Sequence, residues 1–423
     1  MTTDLTSKYG EDADRYDFLA RGFPWRLYSG PETLENYLKE EVVRNGAKRA
    51  FVVCSKSITG KTTIVQRIKE ALGDMFAGVF DGIEVDSTYR SVVAATEAAR
   101  AAHADLLIAA GGGSVIIATR VVDIFLCEQG DHFEIMTQYP PGKPAFSPRL
   151  NAPKLSIINV VTTPTGGMNR GGSGLANPDL DQRMEYFDPK TRPVALFWDW
   201  EALMQTPLAL TRSTATTTFT GALSGLATPD MNPLVEGDRL HIFRTAHRAY
   251  ERLVEEPDAI APRIDLCTAA FLGNRSDDDD QGRRGARRAV AGPNAFGGNY
   301  AIATAVHIRY PQIWQGEATC VMVPTVARRT TPPLEAAQRV ATALGVWKDG
   351  MDARQATDAV ADALETLYKK VGMPTRMREL PGINREDFPS LAKETVKVFN
   401  FNPGMRDEQD AIQSAIDLME AAW

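Results

Sequence analysis

The run Asp105-Leu-Leu-Ile-Ala-Ala-Gly-Gly-Gly-Ser114 constrains the fold more than any other stretch, because an uninterrupted apolar strand stops there at three glycines and a hydroxyl. Apolar residues resume beyond it at Val115, Ile116, Val121 and Val122, so the glycines join a buried strand to a helix. Residues without Cβ let a phosphate approach the backbone N–H groups, and the helix start adds partial positive charge. The same glycines also serve as plain turn chemistry, since their spacing is not that of the G-x-G-x-x-G fingerprint.

Similar segments flank this run. A helix is expected over 32–45, then a strand Arg49–Cys54 that reads as fully buried and parallel, a helix over 60–72, a short Phe80–Gly82 segment and a helix over 87–102. Strand 105–110, helix 114–126, strand Lys154–Val161 and strand Pro193–Trp198 complete the series. Strands separated by crossover helices predict a Rossmann-like parallel sheet with helices on both faces. From Thr211 to Trp423 nearly every segment has helical period. The expected organisation is a polar arm over 1–24, an α/β domain over 25–205 and an all-α domain over 206–423. A chain of 423 residues, 43% hydrophobic, is long enough to bury cores for about two domains.

A net charge of −7 argues against nucleic-acid or anionic-membrane partners and leaves a small-molecule substrate as the expectation. Cys54, Cys127, Cys267 and Cys320 form no C-x-x-C pair, and there is no apolar leader or long apolar span, so free thiols in the cytoplasm are expected. Gly60-Lys61-Thr62-Thr63 mimics the end of a Walker A motif, but Ser55 stands where that motif needs its first glycine; it reads as a helix start. Asp277–Asp280, followed by Arg283, Arg284, Arg287 and Arg288, reads as a solvated loop capping an arginine-bearing helix.

Ordered landmarks run through nearly the whole chain: Gly30, Gly111–Ser114, the turn Val161-Thr-Thr-Pro-Thr-Gly-Gly167, Asp188-Pro189, Trp198-Asp199, Leu210-Thr211, Asn232-Pro233-Leu234, Val290-Ala-Gly292 and a helix carrying His307. From about residue 26 the sequence resembles the iron-containing (group III) alcohol dehydrogenase family of the dehydroquinate synthase-like superfamily. The resemblance implies NAD or NADP bound to the N-terminal domain and a homodimer. It assigns Gly111, Gly112, Gly113 and Ser114 to the pyrophosphate, Thr162, Thr163 and Thr165 to the nicotinamide side, and Arg183 to the place of a family lysine there. The ribose-binding aspartate is replaced by Ser55, followed by Lys56, which removes repulsion against a 2′-phosphate and mildly favours NADP.

The same resemblance exposes a departure. Family members hold a divalent ion with an aspartate and three histidines; on this chain those positions carry Thr217, Gly221, Ala303 and Gln315. These are absent or weak donors for a transition metal, so the expectation is a divergent member without a catalytic metal. His307 matches a family histidine that faces the substrate and is the expected proton donor. Thr217, Gln315, Asn169, Arg309 and Tyr310 are weaker candidates for substrate contact. The expected function is metal-independent reduction of a small carbonyl, imine or activated alkene by NAD(P)H. Ile117 and Arg120, where the family usually has Asp and Lys, keep open a non-redox addition, elimination or cyclisation in the same cleft, and an NAD-using cyclase is a further alternative.

Overall fold

The computed structural model describes residues 16–140, 143, 145–180, 182–229, 231–280, 296, 300–398 and 408–423. Six parallel strands, β1 (Arg26–Gly30), β2 (Ala50–Val53), β3 (Phe76–Phe80), β4 (Leu106–Gly111), β5 (Ser156–Val161) and β8 (Ala195–Asp199), form one sheet in the order β1-β8-β5-β4-β2-β3. Its central members are apolar on both faces, and alternation decides which helices each face receives. Val52, Cys54, Ile108 and Ala110 pack with Ile64, Ile68 and Leu72 of one crossover helix. Phe51, Val53, Leu107 and Ala109 pack on the opposite face with Val115, Ile116, Val121 and Val122 of another.

The chain leaves β2 toward β3 but leaves β4 the other way, toward β5. The loops after β2 and β4 therefore part company at a topological switch point, where open α/β sheets bind ligands. Ser55 follows one strand and the glycine run the other.

Two local readings need correction. Gly60 and Lys61 end a short helix, Lys56–Lys61, because Thr62 turns extended and its hydroxyl donates to Ile58 O at 2.6 Å; Thr63 then precedes the separate helix Ile64–Leu72. The second concerns a hairpin between β5 and β8 that sequence periodicity does not announce: β6 (Gly172–Leu175) pairs antiparallel with β7 (Met184–Phe187). Each strand has four residues and β6 carries two glycines, too short and too weakly patterned to register.

After β8 every described element is helical. Phe219, Phe243, Tyr250 and Tyr368 anchor the largest core, with the Phe219 and Tyr250 rings stacked 5.3 Å apart. No helix among the described residues is long and apolar enough to cross a membrane.

Helix Ile260–Asp279 joins the helical region to the sheet. Its Cys267, Ala270 and Phe271 enter the sheet-side core, and Phe271 meets Trp25 edge-on at 4.7 Å. The acidic run is the end of this helix and not a solvated loop: Asp277 pairs with Arg170 at 2.6 Å and Asp278 with Arg192 at 2.8 Å, while Asp280 pairs with Arg239 at 2.9 Å. Successive residues on a helix point about 100° apart, so neighbouring carboxylates reach different cations. Arg283, Arg284, Arg287 and Arg288 lie outside the described residues, as do Val290–Gly292 and residues 1–15 of the arm. Arg21 donates its N–H to Asp278 O and Phe23 lies under the Arg192 guanidinium, which fastens residues 21–25 to the same seam.

Candidate active site

The glycine turn is built by what presses against it. A Cβ on Gly111 would lie 2.8 Å from Val115, one on Gly112 2.9 Å from Thr163 Oγ1, and one on Gly113 3.1 Å from Thr165 Oγ1. Only glycine lets the threonine turn close on the loop after β4, and Thr162 N–H completes the contact by donating to Gly111 O at 3.2 Å. The structure thus brings Gly111, Gly112 and Gly113 together with Thr162, Thr163 and Thr165. Gly112 stands at the N-cap of helix Gly113–Cys127 without a side-chain cap, so first-turn N–H groups are left for an external anion. Thr163 Oγ1 is buried and has no partner among the described residues. An uncapped helix start beside a buried, unpaired hydroxyl fits a pyrophosphate and the group that follows it.

Across the switch point, Ser55 Oγ lies 2.9 Å from Ser57 Oγ, and Lys56 is exposed. Thr88, Arg90 and Lys56 hold the Glu84 carboxyl below its ordinary range, so part of the Lys56 charge is met by Glu84. Asp81 accepts from Thr59 Oγ1 at 2.8 Å, and burial together with Asp81 pushes the neighbouring Cys54 thiol up to about 12.

His307 reaches the glycine turn through a residue the sequence reading missed. Its Nδ1 lies 3.0 Å from Asp86 Oδ1, and Asp86 N–H donates to Ser114 Oγ at 3.2 Å. Ser87 Oγ donates to Ser114 O at 2.6 Å. Asp86 and Ser87 are both left-handed, at φ 60° and 54°, a geometry that aspartate tolerates better than most side chains. Two consecutive polar residues after β3 were the only local signal, and nothing local points to His307. His307 is 6% exposed, and its Nε2 is buried without a partner among the described residues. An imidazole fixed at one nitrogen and without a partner among the described residues at the other can exchange a proton with a group brought to it.

The remaining candidates fall in different surroundings. Thr217 donates to Thr214 O in its own helix, Leu208–Leu226, at 2.7 Å. Thr218, beside it, donates to Pro164 O at 2.5 Å, so this helix lies against the threonine turn. Gly221 is exposed with open space where a Cβ would stand, and Ala303 is fully buried. Gln315 starts a short helix whose Gly316 N–H donates to Ser213 Oγ at 3.1 Å, one turn from Thr217. Asn169 is tied to Phe271 O, Asn274 and, through its carbonyl, Arg192, all at the seam. Arg183 donates to Gly174 O across the hairpin at 2.8 Å. Asp387 holds both Arg309, at 2.8 Å, and the Tyr310 hydroxyl. No three His, Cys, Asp or Glu side chains among the described residues are grouped so as to hold a metal ion. At the four positions where the family holds its metal, the donors on offer are one hydroxyl and one amide, which do not fit a transition ion.

Two family profiles cover the chain almost end to end: iron-containing alcohol dehydrogenase over residues 24–200, and the C-terminal part of the Fe-containing alcohol dehydrogenase family over 214–417. The chain belongs to the iron-containing alcohol dehydrogenase family. It is 24% identical to lactaldehyde reductase of Escherichia coli over 396 residues, 91% of this chain and 95% of that protein. With maleylacetate reductase 2 of Cupriavidus pinatubonensis it shares 26% over 259 residues, 61% of this chain and 63% of the relative. The NADH-dependent butanol dehydrogenase A of Thermotoga maritima has the same fold at TM-score 0.80 and 19% identity, covering 95% of this chain and 98% of that one. This family member is therefore an enzyme of the NAD(P)-dependent alcohol and aldehyde oxidoreductase class.

Proposed function

We propose that this chain is a metal-independent, NAD(P)H-dependent reductase of a small carbonyl, imine or activated alkene. One observation carries the reading: in a family cleft whose four metal positions lack strong donors, His307 is anchored at Nδ1 by Asp86 and has no partner among the described residues at a buried Nε2. Two of the relatives are named as reductases, of lactaldehyde and of maleylacetate.

Gly111, Gly112, Gly113 and the uncapped helix start would hold the pyrophosphate, with Thr162, Thr163 and Thr165 beside the ring. When bound, the reduced nicotinamide supplies a hydride to the electrophilic carbon. His307 in its protonated form donates from Nε2 to the substrate oxygen or nitrogen as the π pair moves there, and it is left neutral with its Nδ1–H on Asp86. Asp86 stabilises the imidazolium before transfer and fixes the tautomer after it. Solvent restores the proton. A hydrogen-bond donor in a buried site performs the charge stabilisation that a Lewis acid performs elsewhere. We also propose a modest preference for NADPH, from Lys56 and from the hydroxyl of Ser55 where a carboxylate would repel the 2′-phosphate.

The test is absorbance at the reduced-nicotinamide band, with protein purified without chelator, analysed for metals, and then dialysed against EDTA. Oxidation of NADPH by small aldehydes at an unchanged rate after dialysis is expected. One tightly bound Zn or Fe per chain, or activity lost with the metal, overturns metal independence.

A further inference from the structure

Arg120 is 1% exposed, yet only one of its nitrogens is satisfied: Nη1 donates to Gly172 O at 2.7 Å, while Nε and Nη2 have no partner among the described residues. Among the described residues the charges that act on it are Arg170 and Arg192, both cations. Those two have carboxylates of their own, Asp277 and Asp278. Other buried cations are better met: Lys154 lies between Glu128 and Asp188, Arg239 meets Asp280, and Arg263, although its Nε is also unpartnered among the described residues, donates from Nη1 to three neutral oxygens. Burial and the two arginines push Arg120 down to about 9, so it stays charged at neutral pH. A buried charge without a counter-ion is strongly unfavourable, and such groups gather where a ligand completes them.

The unpaired atoms have a shape. Nε and Nη2 form one edge of the guanidinium, the fork that accepts a planar carboxylate through two parallel hydrogen bonds. This edge lies close to the glycine turn. Gly113, Ile117 and Arg120 follow one another at helical spacing, and Gly113 and Ile117 are half-exposed. A Cβ on Gly167 would lie 3.4 Å from Thr165 Oγ1 and 3.9 Å from both Arg120 Nη2 and Ile117 Cγ1, while one on exposed Gly166 would meet nothing. The glycine pair leaves the space of a side chain above Arg120 Nη2, between Thr165 and Ile117 and next to the coenzyme turn, with the two unpaired nitrogens buried just beneath it.

We propose that Arg120 is the anchor of a carboxylate subsite, so that the substrate is an oxo acid or enoate and not a neutral aldehyde. This rests on the cleft being the hydride-transfer site proposed above. A phosphate has the uncapped helix start; a guanidinium edge with two donors side by side suits the flatter anion.

Succinate and its neutral isostere succinamide are the probes, titrated by calorimetry against the NADP⁺-loaded protein, with inorganic phosphate as a second anion. Succinate is expected to bind and succinamide not. R120M should weaken succinate more than tenfold, and I117D, which sets a carboxylate beside the intact arginine, should do the same. Phosphate should bind at least tenfold more weakly than succinate. Succinate binding that survives in both variants overturns the subsite, as does R120M that melts early yet binds succinate normally, the mark of a strut to Gly172. Phosphate binding as tightly as succinate overturns the substrate assignment in favour of a free-anion site. The kcat/KM ratio of succinic semialdehyde to butanal should fall at least tenfold in R120M. If neither aldehyde consumes NADPH while succinate still binds through Arg120, hydride transfer fails and the subsite stands; if both are consumed and the ratio does not move in R120M, the subsite fails alone.

Discussion

Asparagine at position 86 isolates what the Asp86 carboxylate does for His307. Asparagine is nearly isosteric and tolerates the left-handed φ of 60° that this position requires, and the backbone N–H that donates to Ser114 is untouched. What D86N removes is the charge facing Nδ1 at 3.0 Å, in a contact whose partners have side chains only 17% and 7% exposed. A hydrogen bond to a charged group contributes about 1.5–3 kcal/mol, so losing it from the protonated imidazole corresponds to roughly a 10- to 150-fold drop in kcat. H307Q should cost more, about 10²- to 10⁴-fold, because it deletes the proton donor itself. The double variant should be no slower than H307Q, since a carboxylate that acts only through the imidazole has nothing left to orient. The assay is single-turnover decay of NADPH absorbance at saturating substrate, with KM for NADPH and Tm measured alongside. Additive losses in the double variant, or a D86N effect confined to KM or Tm, would refute the reasoning.

Three further outcomes are expected. Burial pushes Asp123 up to about 7, so between roughly pH 4 and 7 the unfolded chain has released a proton that the folded one keeps. Stability should therefore fall as pH rises through that window, by up to about 4 kcal/mol, and D123N should flatten the slope in denaturant midpoints measured across it. A Cβ at Gly316 would lie 2.0 Å from Ser213 O, so G316A should destabilise by about 3 kcal/mol, read as a lowered Tm; a neutral result would mean that the Gln315 helix does not sit on the Thr217 helix as described. K56A should reduce the NADPH-over-NADH ratio of kcat/KM by about fivefold, in keeping with about 1 kcal/mol for a partly screened, exposed charge pair, and an unchanged ratio would remove Lys56 from coenzyme choice.

The sheet was legible because its strands are apolar on both faces and end in turn residues, a pattern that sequence carries locally. β4 and its glycine turn were read within a residue or two. β6 and β7 were not, because four-residue strands with glycines leave no period to count. Asp277–Asp280 misled for a different reason: in one dimension four carboxylates repel, whereas on a helix they fan out toward Arg170, Arg192 and Arg239, which lie far away in sequence. His307 could be singled out by resemblance, but its partner could not. Asp86 belongs to another element on the sheet side, and only the folded seam brings the two together.

The missing metal donors and the unpaired arginine fit one electrostatic argument. A divalent ion would bring two positive charges to the cleft, and Thr217 removes the one anionic ligand that would offset them. With a metal bound, a protonated His307 and Arg120 would add to that charge in a region that already excludes water from both. On the proposed reading, in which no metal is bound, His307 is the group that exchanges a proton and Arg120 the fixed cation, and the two make different demands. The fixed charge is best met by a permanent anion on the substrate, the mobile one by the charge that develops during hydride transfer. A neutral aldehyde would leave Arg120 uncompensated in the ground state, and the developing oxyanion would then be drawn to either cation. If the proposed subsite holds, a substrate carboxylate on Arg120 would direct that developing charge to His307, the proposed proton donor.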